Sequence, residues 1–222
     1  MRLFFIVVLM PLMASCSIVP SGNRYEDLHG VVDVNATVEY VGPNNVLLDS
    51  KKYPEDAVLL FPSVPGGIFG KPNSSILFAE EIDSSMKFTL DLLEKREEME
   101  NSIRPLDSLW KGLGMEINPA DTLIGRVGTF PYSKVTGEPL GGGGFIDPEE
   151  RNSLILIYVN KACKINGDIK LNDKIYSHDL QFSGPGFYWV ELEESERKRY
   201  SIKRYKEGGE VFSIHVRDLM LL

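Results

Sequence analysis

Three stretches decide how this 222-residue chain folds: Ile165-Asn166-Gly167-Asp168-Ile169, Leu171-Asn172-Asp173-Lys174 and Gly184-Pro185-Gly186-Phe187-Tyr188-Trp189-Val190-Glu191-Leu192. Each sets strand-type residues, β-branched or aromatic in the first and third, against Asn-Gly, Asn-Asp or Gly-Pro-Gly, which supply the backbone freedom of tight turns. The spacing predicts strands over 123–130, 153–159, 162–171, 174–182, 187–192, 200–206 and 211–216. Short strands joined this way make an antiparallel sheet or sandwich.

Upstream, 31–41 alternates Val32, Val34, Ala36, Val38 and Tyr40 on one face and reads as a first strand. Residues 46–48 and 57–61 read as two more, and the Pro- and Gly-rich stretch 62–73 as a loop. One long amphipathic helix is expected from the Asp83-Ser84-Ser85 cap to Ile103, with Phe88, Leu92, Met99 and Ile103 on its apolar side. The expected class is therefore α+β and β-rich, with regions 31–140 and 153–222 joined by a Gly-rich loop at 141–152 and either separate or parts of one domain.

The first residues carry a different message. Arg2 is a short positive region, residues 3–10 are uninterruptedly apolar, and Pro11 ends the run well short of the ~20 residues that span a bilayer. Leu12-Met13-Ala14-Ser15-Cys16 resembles the lipobox of bacterial lipoproteins, with Met13 where leucine is usual. The resemblance implies that 1–15 is a cleaved signal peptide, that the Cys16 thiol takes a diacylglycerol, and that its new amino group is acylated. It also implies outer-membrane sorting, because Ser17 stands where an inner-membrane retention signal of the enteric type has Asp. Several acyl chains at about 0.8 kcal/mol per buried methylene make such anchoring effectively permanent. Residues 16–30 then read as lipid anchor and flexible tether. The turn-and-strand pattern after residue 165 also looks loosely like transthyretin-like or immunoglobulin-like accessory domains, which bind or position other molecules.

Composition narrows the function. The chain holds 32 acidic and 24 basic residues, a net charge of −8, which excludes a general nucleic-acid binder. With Cys16 lipidated, Cys163 has no intramolecular partner and reads as a buried core thiol. His29, His178 and His215 are isolated and form no metal-ligand spacing, and no Gly-x-Ser-x-Gly elbow exists. The glycines at 66–70 miss the phosphate-loop spacing, and Pro72 replaces the required hydroxyl residue. Adjacent carboxylates such as Glu149-Glu150 or Glu193-Glu194 point to opposite faces of a strand. No catalytic residue, cofactor, nucleotide or metal is therefore assigned.

One charge feature stands out. Acidic residues at 191–196 run into Arg197, Lys198, Arg199, Lys203 and Arg204, interleaved with Tyr200 and Tyr205. It reads either as a partner-binding surface for an anionic face or as a hairpin laced by cross-strand ion pairs. The expected function is an outer-membrane-anchored, periplasm-facing protein-binding module: an envelope-assembly accessory, or an immunity protein whose acidity suits a basic effector. The alternative is an envelope hydrolase acting on peptidoglycan or glycan.

Overall fold

Ser153–Val159 and Gly186–Glu196 pair antiparallel from Ser153↔Leu192 to Val159↔Gly186, and both strands are apolar on both faces. Leu154, Leu156, Tyr158, Phe187 and Trp189 enter one core, whereas Ile157, Val159, Tyr188 and Val190 enter another. A strand buried on one face only would alternate with polar residues; these cannot, because they form the wall between two cores. Burying each such side chain contributes roughly 1.5–3 kcal/mol.

The computed structural model describes residues 29–41, 57–66, 76–81, 86–106, 108–147, 149–150, 152–205 and 211–217. Strands β1 (His29–Gly30), β2 (Asp33–Val41), β3 (Ala57–Pro65), β4 (Ile76–Glu81) and β5 (Lys87–Asp91) come first. Helix α1 (Arg96–Ser102), β6 (Arg104–Pro105) and α2 (Ser108–Gly112) follow. Next come β7 (Glu116–Asn118), β8 (Leu123–Val127), β9 (Phe130–Ser133) and β10 (Gly142–Ile146). The wall strands are β11 (Ser153–Val159) and β14 (Gly186–Glu196). Between and after them lie β12 (Cys163–Leu171), β13 (Lys174–Phe182), β15 (Arg199–Arg204) and β16 (Val211–Arg217).

The main sheet runs β5-β2-β16-β10-β11-β14-β15-β13-β12-β7. Most neighbours are antiparallel, but β1 with β14, β13 with β15 and β16 with β2 are parallel. Along one edge of β11 the partner changes: β10 takes Ser153 and Leu154, and β8 takes Leu156 to Val159. From β8 the sheet continues into β3, which carries β4 and β9. Phe61 of β3 then meets Phe78, Phe88 and Phe145 at ring distances of 6.2, 5.4 and 6.2 Å, and Phe145 meets Trp189 at 4.9 Å. The second core is enclosed by β12, β13 and β15 curling over the other face of the wall, with Ile165, Ile169, Leu180, Phe182 and Ile202 inside. Strands of the 31–140 and 153–222 regions thus share one hydrogen-bonded sheet.

The β-rich, mostly antiparallel expectation holds, but the long helix does not form. Residues 87–91 are the strand β5, in register with β2 from Asp33↔Asp91 to Thr37↔Lys87. Phe88 and Leu90 both face the first core at a period of two, and Thr89 Oγ1 donates to Asn35 Oδ1 at 2.8 Å across the pair. Sheet pairing thereby overrides the helix propensity of the Glu/Lys-rich run. The Asp91 carboxylate accepts from the Leu93 and Glu94 N–H groups at 3.0 and 3.1 Å, turning the chain into the short α1. The expected cap at Asp83-Ser84-Ser85 lies outside the described residues.

Two smaller corrections follow from close backbone approach and strand register. The expected Gly-rich loop at 141–152 begins as strand β10, paired on both sides, and a Cβ on Gly143 would stand 2.9 Å from Thr129 Cγ2. Asn166-Gly167, a turn signal inside the strand expected over 162–171, lies within β12 as that strand predicts; Gly167 has φ +122° and packs so closely that a Cβ would meet the Gly114 carbonyl oxygen at 2.1 Å. Pro62 to Pro65 belong to β3, the register shifting at Phe61/Pro62, where the ladder dispenses with the missing proline donor. Val34, Ala36 and Val38 are buried as their alternation predicts, while Val32 is 45% exposed. Among the described residues no helix is long and apolar enough to cross a membrane.

Helix α1 is pinned to the wall at Tyr158: its buried hydroxyl donates to Glu100 Oε1 and accepts from Arg96 Nε at 3.3 Å, and Arg96 Nε also donates to Glu100 Oε1 at 2.8 Å. Burial, followed by the hydrogen bond to Glu100, raises the phenol well above the usual tyrosine range, so it remains a neutral donor. Tyr158→Phe is expected to lower stability by about 1–2 kcal/mol. Urea unfolding should show a lower midpoint at an unchanged slope.

Candidate functional site

The run Glu191 to Tyr205 forms the end of β14, a two-residue turn and β15, with register pairs Glu191↔Lys203, Leu192↔Ile202, Glu193↔Ser201, Glu194↔Tyr200 and Glu196↔Arg199. A bulge between Glu194 and Glu196 and the positive φ of 66° at Lys198 close the hairpin. β15 then lies between β14 and β13, so its backbone is paired on both sides.

This geometry divides the seven-residue patch that the sequence suggested. Lys203 is committed to Glu193 at 2.5 Å; the hydrogen bond raises the ammonium above, and lowers the carboxyl below, their ordinary ranges. Arg204 turns toward the second core: its guanidinium carbon lies 4.2 Å from the Tyr188 ring centre and 5.3 Å from that of Phe182, and Nη1 donates to the Gln181 carbonyl at 3.3 Å. Tyr205 packs against the first core, and its N–H donates to the Trp189 carbonyl at 3.1 Å. Only Arg197, Lys198, Arg199 and Tyr200 remain together, at the hairpin tip. The lower part of the hairpin is tied by the cross-strand ion pair of Lys203 with Glu193, and the basic side chains of the tip are exposed.

A second gathering of charge was invisible in the sequence. Asp147 follows β10, Glu150 lies in the next turn and Glu191 is on β14, yet ligand atoms of all three fall within 4.8 Å of one another. Asp147 and Glu191 are buried and Glu150 is exposed. Asn152 Nδ2 donates to Glu191 Oε1 at 2.8 Å and to Glu150 Oε2 at 3.3 Å, and Asp147 Oδ1 accepts the Glu149 N–H at 2.8 Å. An all-oxygen set of this kind is what a hard divalent cation accepts; here one amide bridges two of its members. It becomes visible only through the pairing of Leu154 with Glu191, which brings Asn152 beside β14.

The other sequence candidates are structural. Cys163 is buried beside Thr122, and burial pushes its thiol up to about 11, the wrong direction for a nucleophile. Its cross-strand partner is Phe182, whereas His178 pairs with Gly167, four residues or about 13 Å farther along the strand, so the two form no dyad. The side chain of His215 lies outside the described residues, as does Cys16. Ser183-Gly184-Pro185-Gly186 is a turn clasped by the Tyr188 hydroxyl, which accepts from the Gly184 N–H at 3.2 Å and donates to its carbonyl at 2.7 Å. No family model, curated protein or solved structure matches this chain.

Two predictions follow from the buried titratable groups. His178 Nδ1 lies 3.1 Å from the Gly167 carbonyl, which requires the Nδ1–H tautomer, and burial holds the imidazole below the usual histidine range. The unfolded chain therefore binds this proton more readily, so stability should fall as pH drops below about 6.5 and on through the lower folded-state value. His178→Gln should flatten that part of a urea-midpoint profile between pH 7 and 5. Cys163 should resist a thiol reagent such as dithionitrobenzoate in the native protein and react within seconds in denaturant, its labelling rate tracking unfolding.

Proposed function

We propose that the protein is an outer-membrane-anchored, periplasm-facing lipoprotein whose β-rich body, a sandwich-like arrangement about two cores, binds another protein of the envelope. The observation that carries the address is the sequence Leu12-Met13-Ala14-Ser15-Cys16 after a short apolar run. For the binding role, support comes from the β14–β15 hairpin: β15 is paired on both sides, Lys203 is tied to Glu193 within the molecule, and the basic tip is left exposed. Rigid presentation of a few cations costs little ordering entropy on association. Both an assembly accessory and an immunity protein fit such a module.

The hydrolase alternative would draw on Asp147, Glu150 and Glu191. Their ligand atoms lie within 4.8 Å of one another, short of the roughly 6.5–9.5 Å of an inverting glycosidase and close to the roughly 5–5.5 Å of a retaining one, but an asparagine amide is hydrogen-bonded to two of them and holds them together. That arrangement favours a structural role.

Cys16→Ser tests the anchor. Wild-type protein should incorporate labelled fatty acid and sediment with outer membranes; the variant should lose the label and appear in the soluble fraction. Unchanged labelling and partition in the variant would refute the lipoprotein reading.

A further inference from the structure

Two hairpin tips meet at one end of the second core. The β12–β13 turn passes through Asn172 and Asp173, with φ of 46° and 63°, and the β14–β15 turn through Arg197 and Lys198. The turns are joined: the Ile175 N–H donates to the Lys198 carbonyl at 2.9 Å, and parallel pairing sets Ile175 opposite Arg199 and Tyr176 opposite Tyr200. The rings of Tyr176 and Tyr200 stack at 5.1 Å with 19° between planes, and Lys174 Nζ lies 5.1 Å from the Tyr200 ring centre. Both tyrosines are half-buried, held in place by the strands yet open to contact.

The charge at this end runs against that of the molecule. Residues 170–174 and 194–199 carry five basic and three acidic side chains, in a chain of net charge −8. The internal pairing of these cations is loose. Lys198 lies 4.0 Å from Asp173 and Arg199 lies 3.7 Å from Glu196, with every one of those side chains more than half exposed. Arg197 is exposed and makes no hydrogen bond or ion pair among the described residues. Exposed pairs of this geometry are worth little to the fold, so they can be exchanged for a partner's carboxylates at small cost.

We infer that the twin-hairpin tip, formed by Lys174, Tyr176, Arg197, Lys198, Arg199 and Tyr200, is the docking surface for an acidic segment of a protein partner. The inference rests on the protein-binding reading above and deepens it. Arginine and tyrosine are the residues that most often carry interface energy, and here both are preorganised on paired strands. Tight turns project outward, which suits insertion against a larger molecule, and the four cations of this surface complement an acidic one and repel a basic one. The partner is accordingly not a basic effector, which favours the assembly role over immunity.

Binding of the purified full-length protein in detergent to fluorescent poly-glutamate, measured by anisotropy at two salt concentrations, tests this assignment. Wild type should bind, more weakly at high salt, and the triple variant R197E/K198E/R199E should lose about tenfold or more. A control triple K87E/K111E/K134E, equal in net charge, should stay within about twofold of wild type. Tyr200→Ala should weaken binding several-fold, and Tyr200→Phe, which keeps the ring, should restore it.

Equal loss in both triples would reduce the effect to net charge and overturn the proposal, as would tighter binding to polygalacturonate or to phosphatidylglycerol vesicles than to poly-glutamate. Absence of poly-glutamate binding would overturn it too. Loss in Lys203→Glu but not in the tip triple would move the site down the strand, sinking the tip assignment while the binding-module reading stands. The Cys16→Ser partition experiment fails or succeeds independently of all of these.

Discussion

Everything in this fold depends on β11 and β14 being buried on both faces. A six-residue apolar run, Leu154 to Val159, and the run Phe187 to Val190 across from it leave no side that tolerates water. The chain answers by building one core on each side: β2, β3, β5 and β10 with α1 on one, β12, β13 and β15 on the other. Tyr158 and Tyr188 show how the wall accepts polar atoms. Each is fully buried and carries its hydroxyl to the rim of its own core, where Glu100 or the Gly184 backbone receives it.

The same wall explains where charge can sit. Side chains of β14 alternate between cores until Val190; Glu191 is still buried and Leu192 still packs on the second core, and from Glu194 the strand is exposed. Polar pairing begins at Glu191: Asn152 gathers Glu150 and Glu191, and Lys203 takes Glu193. Of the basic residues of β15, Lys203 is spent in this way and Arg204 lies over the Tyr188 and Phe182 rings. At the turn and the first residue of β15, Arg197 to Arg199 are exposed beside a stacked tyrosine pair. The division between buried and exposed charge thus follows the position of the turn at the end of the hairpin.

Much of the strand pattern was legible in the chain. The alternation of Val34, Ala36 and Val38, the apolar run of β11, and the Asn172-Asp173 turn each reflect local rules of period and backbone conformation. The helix expected over 83–103 failed because Phe88 and Leu90 satisfy a strand period inside a sequence rich in helix-forming Glu and Lys, and only the long-range partner β2 decides between them. Glycine misled at 143 for a related reason. Gly143 reads as a loop residue and Gly167 as a turn signal, yet each is required by a backbone or side chain approaching from elsewhere in the chain.

The sequence by itself determined a strand-rich body, a buried thiol at Cys163, and a basic run beginning at Arg197, because composition, period and turn chemistry act over a few residues. Only the tertiary structure decided that Arg204 and Tyr205 turn inward, that Lys203 is spent on Glu193, and that Asp147 meets Glu191. It also decided that the 172–173 and 197–198 turns stand side by side, through the parallel pairing of β13 with β15. Those outcomes depend on register between segments tens of residues apart. A shift of one residue in that register would send every side chain to the opposite face.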